Sequence, residues 1–455
     1  MAEPEIAAIN KDADAIPATL GQPSAPRFWL SVMGIGILTG LAAGLLTRLL
    51  EWVQSSLWGG NGREILDAAQ HTPALRVFLI LLAAGVVTGI AQVILRKLSS
   101  GNDIDTTAAI WFHAGRLPAL RTLASATLSV VLVGMGVSLG REGAPKQAGS
   151  VFANFFSDLT RLSDDQRRLL VACGAGAGMA AAYGVPLGGA LFAIEVVRGA
   201  LALRFILPAL LCSTVATAVA WTLLPNAPTY QIPAYPDLRV GLLFAIACGL
   251  AVGPFAVLYV RLVRWAERNK PSGWHRIVRP MFGLALLGIL ATRFPQLLGN
   301  GRDISQLLFA GAVPFALAVL LLVLKPAAIL LCIGSGVPGG LFTPSLTAGA
   351  LLGSVLGYLW SFVFPHVPIG LCGFLGAGAV LSATTQGPVS TVILIMELTG
   401  QGRAFVLPLL LAVTVATMIS RSIEPRSIYD ARLTNDQIQV RQRLRDKVQV
   451  GPELQ

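Results

Sequence analysis

The residues of this 455-residue chain best suited to chemistry sit in two short junctions. The first is Gly140-Arg141-Glu142-Gly143-Ala144-Pro145, and the second is Gly339-Gly340-Leu341-Phe342-Thr343-Pro344. A glycine-rich turn with a proline near the first helical position predicts a helix start. The first N–H groups of a helix have no intrahelical partner, and the macrodipole adds partial positive charge there. Such an end binds an anion without a full counter-charge. Two of them aimed at one point suit a permeant anion, because conduction requires binding weak enough to release. For either junction alone, close helix packing is the competing explanation of the glycines.

Glu142 lies within the first junction. A carboxylate at a helix N-terminus competes with a permeant anion, and protonation releases it. At membrane depth an ionisable side chain is a functional candidate, although an acid near a helix start also stabilises it. Arg141 reads as a structural ion-pair partner. Lys146 reads equally as an attractor of anions or as a solvated or snorkelling lysine.

These junctions belong to a repeat. Residues 174–199 (GAGAGMAAAYGVPLGGALFAIEVVRG) and 376–400 (GAGAVLSATTQGPVSTVILIMELTG) both pass from small residues to a proline, an apolar helix and a glutamate. Nine positions separate Pro186 from Glu195 and Pro388 from Glu397, and the copies are offset by 202. Pro145 and Pro344 precede these prolines by 41 and 44 residues. The predicted organisation is a polar tail over 1–27, a first membrane half over 28–224 and a connector with a helix and a basic cytoplasmic loop over 225–279. The remainder of a second half, which begins near 240, fills 280–429, and a basic cytoplasmic tail covers 430–455.

The elements that must position the junctions are apolar. Hydrophobic residues make up 54% of the chain and charged ones 13%, about half the ~25% of a soluble domain. Of the 57 charges, 25 fall within 1–27, 261–279 and 421–455. This is the pattern of a polytopic membrane protein, not of a disordered chain or a soluble enzyme. The net charge of +11 fits cytoplasmic basic loops under the positive-inside rule, so membrane lipids are expected as surroundings and nucleic acid is not a partner. Apolar runs are expected near 28–50, 77–95, 119–140, 169–196, 203–224, 240–260, 280–293, 306–333, 346–364, 368–382, 388–398 and 404–420. Several are too short to cross alone, and many are broken by Gly-Pro clusters, which points to a transporter site. Residues 1–27 lack the basic region of a signal peptide. The five cysteines are scattered in apolar runs and read as free thiols. The four histidines have no metal-ligand spacing. No nucleophile or acid–base cluster accompanies Glu142, Glu195 and Glu397, so an enzyme is not expected. No cofactor is expected either.

Gly140-Arg141-Glu142-Gly143 resembles the GREGP signature of the CLC family of chloride channels and chloride/proton antiporters. Gly340-Leu341-Phe342-Thr343-Pro344 resembles that family's GxFxP signature, and Cys173–Glu195 resembles the segment after GREGP. The resemblance runs from about 28 to 430. It implies an all-α polytopic membrane fold of two inverted-topology halves with broken and re-entrant helices. It also implies a homodimer with one pore per subunit, placed multi-pass in a cell membrane of bacterial inner-membrane type. By the same resemblance Glu142 is the gate, and the N–H groups of Leu341 and Phe342 bind a central chloride. The hydroxyls of Ser100 and Tyr429 face that chloride, and the helix N-termini bearing Gly140, Arg141, Gly143, Gly340 and Pro344 surround it.

The sequence departs from the family pattern in four places. Asn102-Asp103 follows Ser99-Ser100-Gly101 where the GSGIP signature has Ile-Pro. Ala144 displaces the signature proline to Pro145. Val196 stands where family antiporters often carry an internal proton-transfer glutamate, which leaves Glu195 as a candidate for an internal water or proton path, or as a partner of Arg198. The chain ends about 25 residues after Tyr429, too soon for the paired nucleotide-sensing domains of many relatives. The expected function is chloride transport gated by Glu142, channel-like or weakly proton-coupled. The alternatives are a chloride/proton antiporter with another proton route, or transport of nitrate or fluoride.

Overall fold

The structure is a computed structural model that describes residues 25–59, 64–97, 105–233, 235 and 241–450. Among the described residues there is no strand. The first part of the chain folds into α1 (Ala25–Trp58), α2 (Ile65–Gln70), α3 (Ala74–Lys97), α4 (Thr106–Phe112), α5 (Ala119–Gly134), α6 (Gly143–Leu159), α7 (Asp164–Tyr183), α8 (Pro186–Phe192) and α9 (Leu203–Ala220). It continues as α10 (Gly241–Arg268), α11 (His275–Arg293), α12 (Arg302–Phe309), α13 (Phe315–Gly334), α14 (Phe342–Ser361), α15 (Ile369–Thr385), α16 (Pro388–Thr399), α17 (Val406–Ile423) and α18 (Asn435–Val450). Seven of these, α1, α3, α9, α10, α13, α14 and α17, are long and apolar enough to cross a membrane. Their outer faces carry exposed apolar side chains such as Leu45, Leu79, Leu207, Leu243 and Val323, as lipid-facing helices do. The fold is that of an all-α, polytopic membrane protein.

Two runs that read as single apolar stretches are each divided. The run 169–196 breaks where Gly184 adopts φ 69° and ends α7, after which Pro186 opens α8. A left-handed residue terminates a helix, and a proline at the first position starts the next. The second copy repeats the break with Gln386 at φ 62° and Pro388 at the start of α16. Gln386 lacks the freedom of glycine, so its conformation needs support. Arg421 supplies it by donating to the Gln386 side-chain oxygen at 2.9 Å and to its carbonyl at 2.7 Å. The run 306–333 divides in the same way between α12 and α13, at Gly311 with φ 69°.

The innermost helices are α7 and α15, whose residues are buried on nearly every side. Small residues permit this. A Cβ on Gly149 of α6 would strike the carbonyl of Gly174 of α7, and one on Gly349 of α14 would strike that of Gly376 of α15. Such close crossings bring the starts of α6 and α14 to the middle of the molecule.

Candidate anion site

The two junctions meet. Gly140 donates its N–H to the Gly340 carbonyl at 2.8 Å, and Gly340 returns the bond at 2.8 Å. This antiparallel bridge is isolated from any sheet. It fixes the starts of α6 and α14 side by side. The prolines sit two residues past the first helical position, since Pro145 and Pro344 are the third residues of their helices, and Glu142 and Leu341 are the capping positions.

Glu142 fills the space that the bridge encloses and is only 2% exposed. Its Oε1 accepts a hydrogen bond from the Phe342 N–H at 2.6 Å. Its Oε2 accepts from the Tyr183 and Thr343 hydroxyls, each at 3.3 Å. Those two hydroxyls lie 2.7 Å apart. A Cβ on either Gly140 or Gly340 would overlap the carboxylate, so only glycine at both positions leaves room for it. The carboxylate therefore occupies an anion position at the N-terminus of α14, where unpaired N–H groups and the macrodipole favour negative charge. Any anion replacing it would meet the same donors.

The other expected residues distribute as follows. Phe342 supplies the N–H just described. Leu341 packs against the core, and its carbonyl accepts from the Ser345 N–H at 3.1 Å and the Ser345 hydroxyl at 2.7 Å. Gly143 begins α6 beside Gly340. Tyr429 lies on a 3-10 turn, Ile428–Asp430, with its ring edge-on to Phe192 at 5.7 Å. The Lys146 ammonium sits 4.4 Å from the centre of that ring, and Lys146 is 7% exposed. The solvated reading of this lysine is thereby removed. Ser100 and Asp103 lie outside the described residues.

Arg141 corrects an expectation. Among the described residues it makes no ion pair, and its guanidinium lies 5.2 Å from the centre of the Tyr183 ring. The planar cation stacks on the aromatic face. Tyr183 and Thr343 are site residues that the sequence reading did not single out. A signal existed for both: Tyr183 directly precedes the first helix break, and Thr343 lies inside the second junction.

Glu195 has a different setting. It is buried on a π-helical turn, Ala193–Val197, that continues α8. Its Oε1 accepts from the Val389 N–H at 3.2 Å and its Oε2 from the Ser390 N–H at 2.6 Å, both in the first turn of α16. Glu397 of α16 accepts in turn from the N–H groups of Leu187 at 3.1 Å and Gly188 at 2.6 Å, in the first turn of α8. Arg198 does not pair with Glu195, and its guanidinium lies 5.5 Å from the ring centres of both Trp111 and Phe205. Val196 is buried beside Gly387.

A cavity of about 560 Å³ reaches the backs of both junctions at Gly143 and Gly339. Its lining includes the basic residues Arg96, Arg121, Lys270, Arg276 and Arg432. Glu267 partly offsets this charge by pairing with Lys270 at 2.6 Å and Arg432 at 3.3 Å. A cleft lined by one sign of charge concentrates counter-ions.

This geometry agrees with the comparisons to known proteins. The family model described as "Voltage gated chloride channel" matches residues 84–421. The chain belongs to this family. It is 32% identical over 318 residues to the voltage-gated ClC-type chloride channel ClcB of Citrobacter koseri, covering 68% of this chain and 75% of that one. It is 30% identical over 321 residues to the H(+)/Cl(-) exchange transporter ClcA of Vibrio parahaemolyticus, covering 66% of this chain and 67% of that one. The crystal structure of a slow cyanobacterial Cl-/H+ antiporter superposes with a TM-score of 0.76 at 20% identity, over 93% of this chain and 99% of the other. The CLC fold is thus shared, and the chain is a multi-pass membrane protein.

Proposed function

We propose that the protein transports chloride across the membrane through a pore at the meeting of the two junctions, with Glu142 as its gate. The observation that carries this reading is the Glu142 carboxylate seated on the Phe342 N–H at 2.6 Å. Glu142 is the one mobile anion at a site otherwise built from helix ends and hydroxyls. When it withdraws or is protonated, chloride takes the N–H groups of Leu341 and Phe342 and the hydroxyls of Tyr429 and Ser100. The helix starts at Gly140, Arg141, Gly143, Gly340 and Pro344 frame the position. Similarity to a chloride channel and to a proton-coupled exchanger supports chloride as the cargo.

The mode of transport in this proposal is channel-like or weakly proton-coupled. Val196 cannot hold a proton, and both carboxylate oxygens of Glu195 are engaged by backbone N–H groups of α16. Two halves, near 28–224 and from about 240 to 429, are proposed as repeats, on the support of the reciprocal Gly140–Gly340 bridge and the exchanged Glu195 and Glu397 contacts. A homodimer is proposed from the family resemblance, to be checked by light scattering in detergent.

The deciding experiment records chloride and proton flux together from proteoliposomes, for wild type and Glu142→Gln. Chloride flux with little or no proton movement is expected. A fixed chloride-to-proton ratio would establish exchange through another proton route. The absence of chloride flux from folded protein would exclude chloride as cargo.

A further inference from the structure

Lys146 lies in the first turn of α6, four residues after Glu142. Its N–H points to the Glu142 carbonyl at 3.4 Å, and residues four apart share one helix face. Both side chains therefore rise from α6 one above the other. Glu142 turns to the Phe342 amide, and Lys146 reaches Tyr429. At 7% exposure the Lys146 side chain is more than nine-tenths buried. Among the described residues no hydrogen bond or ion pair engages its ammonium. A lysine ammonium has three donors and no acceptor, and a cation on so buried a residue is costly without a counter-charge. The Tyr429 ring face offsets part of that cost but satisfies no directed donor. The charges that act on the ammonium are Asp105, Glu142 and Arg432. Asp105, which also caps α4 by accepting from the Thr107 N–H, acts on the ammonium more strongly than Glu142 does.

We propose that the Lys146 ammonium is a pore cation, for which the Glu142 carboxylate and a small monovalent anion compete as counter-charge. The proposal rests on the reading of the two junctions as an anion pore and adds a full charge to a site of partial ones. With Glu142 seated, its carboxylate balances the ammonium from one turn away. When Glu142 leaves or is neutralised, the buried cation has lost that counter-charge. A chloride-sized anion entering beside Tyr429 restores it and accepts from the free ammonium donors. The exchange keeps the buried charge constant, with Asp105 acting on the ammonium in both states.

Titration calorimetry of the purified full-length protein with chloride tests this, alongside crystals soaked in bromide. Lys146→Met is expected to weaken chloride binding by roughly tenfold or more, as loss of a charged hydrogen-bond donor predicts. Lys146→Arg should stay within a few fold of wild type. Bromide in a crystal of Glu142→Gln, where the ammonium lacks that carboxylate charge, should lie within hydrogen-bonding distance of Lys146 Nζ. That result supports the proposal whether or not flux is seen, and whether or not Lys146→Met folds. Unchanged affinity in a folded Lys146→Met, or bromide confined to the Phe342 amide, overturns it and leaves chloride transport standing. Absence of wild-type chloride flux with bromide still seated on Nζ would instead reject the transport reading alone.

Discussion

Glu195 and Glu397 stand in exchanged positions, each closing the N-terminus of the helix that leads to the other. Glu195 receives the Ser390 N–H at 2.6 Å, and Glu397 receives the Gly188 N–H at 2.6 Å. Four otherwise unpaired backbone donors are satisfied by two carboxylates, each placed where the macrodipole favours it. This explains why both copies keep nine positions between proline and glutamate. The spacing carries the carboxylate from the start of one helix to the start of its neighbour.

The first prediction follows from this exchange. Glu195→Gln and Glu397→Gln should each cost about 1.5–3 kcal/mol, the worth of hydrogen bonds to a charged group. Thermal unfolding in detergent should fall by a similar amount for both. The ratio of chloride to proton movement should be the same in Glu195→Gln as in wild type. A change in that ratio with unaltered stability would make Glu195 a proton carrier instead of a cap.

Much of this architecture was legible in the chain. The offset repeat, the two junctions and Glu142 stood out because glycine, proline and a lone acid are rare combinations in apolar sequence. Side-chain direction was not legible. Arg141 and Lys146 are both basic and only five residues apart, yet one stacks on Tyr183 and the other reaches Tyr429. Their destinations depend on helices about 40 and nearly 300 residues away. Tyr183 and Thr343 escaped notice for the same reason, since a hydroxyl acquires its role only when the fold brings a carboxylate to it. The breaks after α7 and α15 were marked by Pro186 and Pro388, but the left-handed Gln386 depends on Arg421, a partner 35 positions on.

On the proposed reading, neutralising Glu142 should open the pore. Glu142→Gln keeps the shape of the side chain but removes the charge that holds it on the Phe342 N–H. With hydrogen bonds to a charged group worth about 1.5–3 kcal/mol, chloride efflux at neutral pH should rise about ten- to a hundredfold. Wild-type efflux should increase as pH falls, because the protonated carboxyl competes less well for the helix end. Efflux through Glu142→Gln should be flat with pH. Chloride electrodes on proteoliposomes measure both, and a variant that still follows pH would move the gate elsewhere.

The hydroxyl pair beneath Glu142 should tune that gate without replacing it. Tyr183→Phe removes a donor 3.3 Å from Oε2 and also the 2.7 Å contact with Thr343. A neutral hydrogen bond of net worth about 0.5–1.5 kcal/mol corresponds to a severalfold rise in efflux at neutral pH, with pH dependence retained. An effect as large as that of Glu142→Gln would mean that Tyr183, not the Phe342 amide, supplies the main hold on the carboxylate.

The bridge itself yields the last prediction. A Cβ at Gly340 would overlap the Glu142 carboxylate, yet the backbone bonds between Gly140 and Gly340 involve no side chain. Gly340→Ala should therefore leave the bridge in place and expel the carboxylate from its seat. Because the same Cβ crowds the anion position, the variant should lose the pH dependence of efflux without gaining the high rate of Glu142→Gln. Adding Glu142→Gln to Gly340→Ala should change efflux little, because both act on the same position and such effects are not additive. A rise to the Glu142→Gln rate in the double variant would show that the two residues act at separate points. Gel filtration of the detergent-solubilised variant distinguishes expulsion of the side chain from loss of the fold.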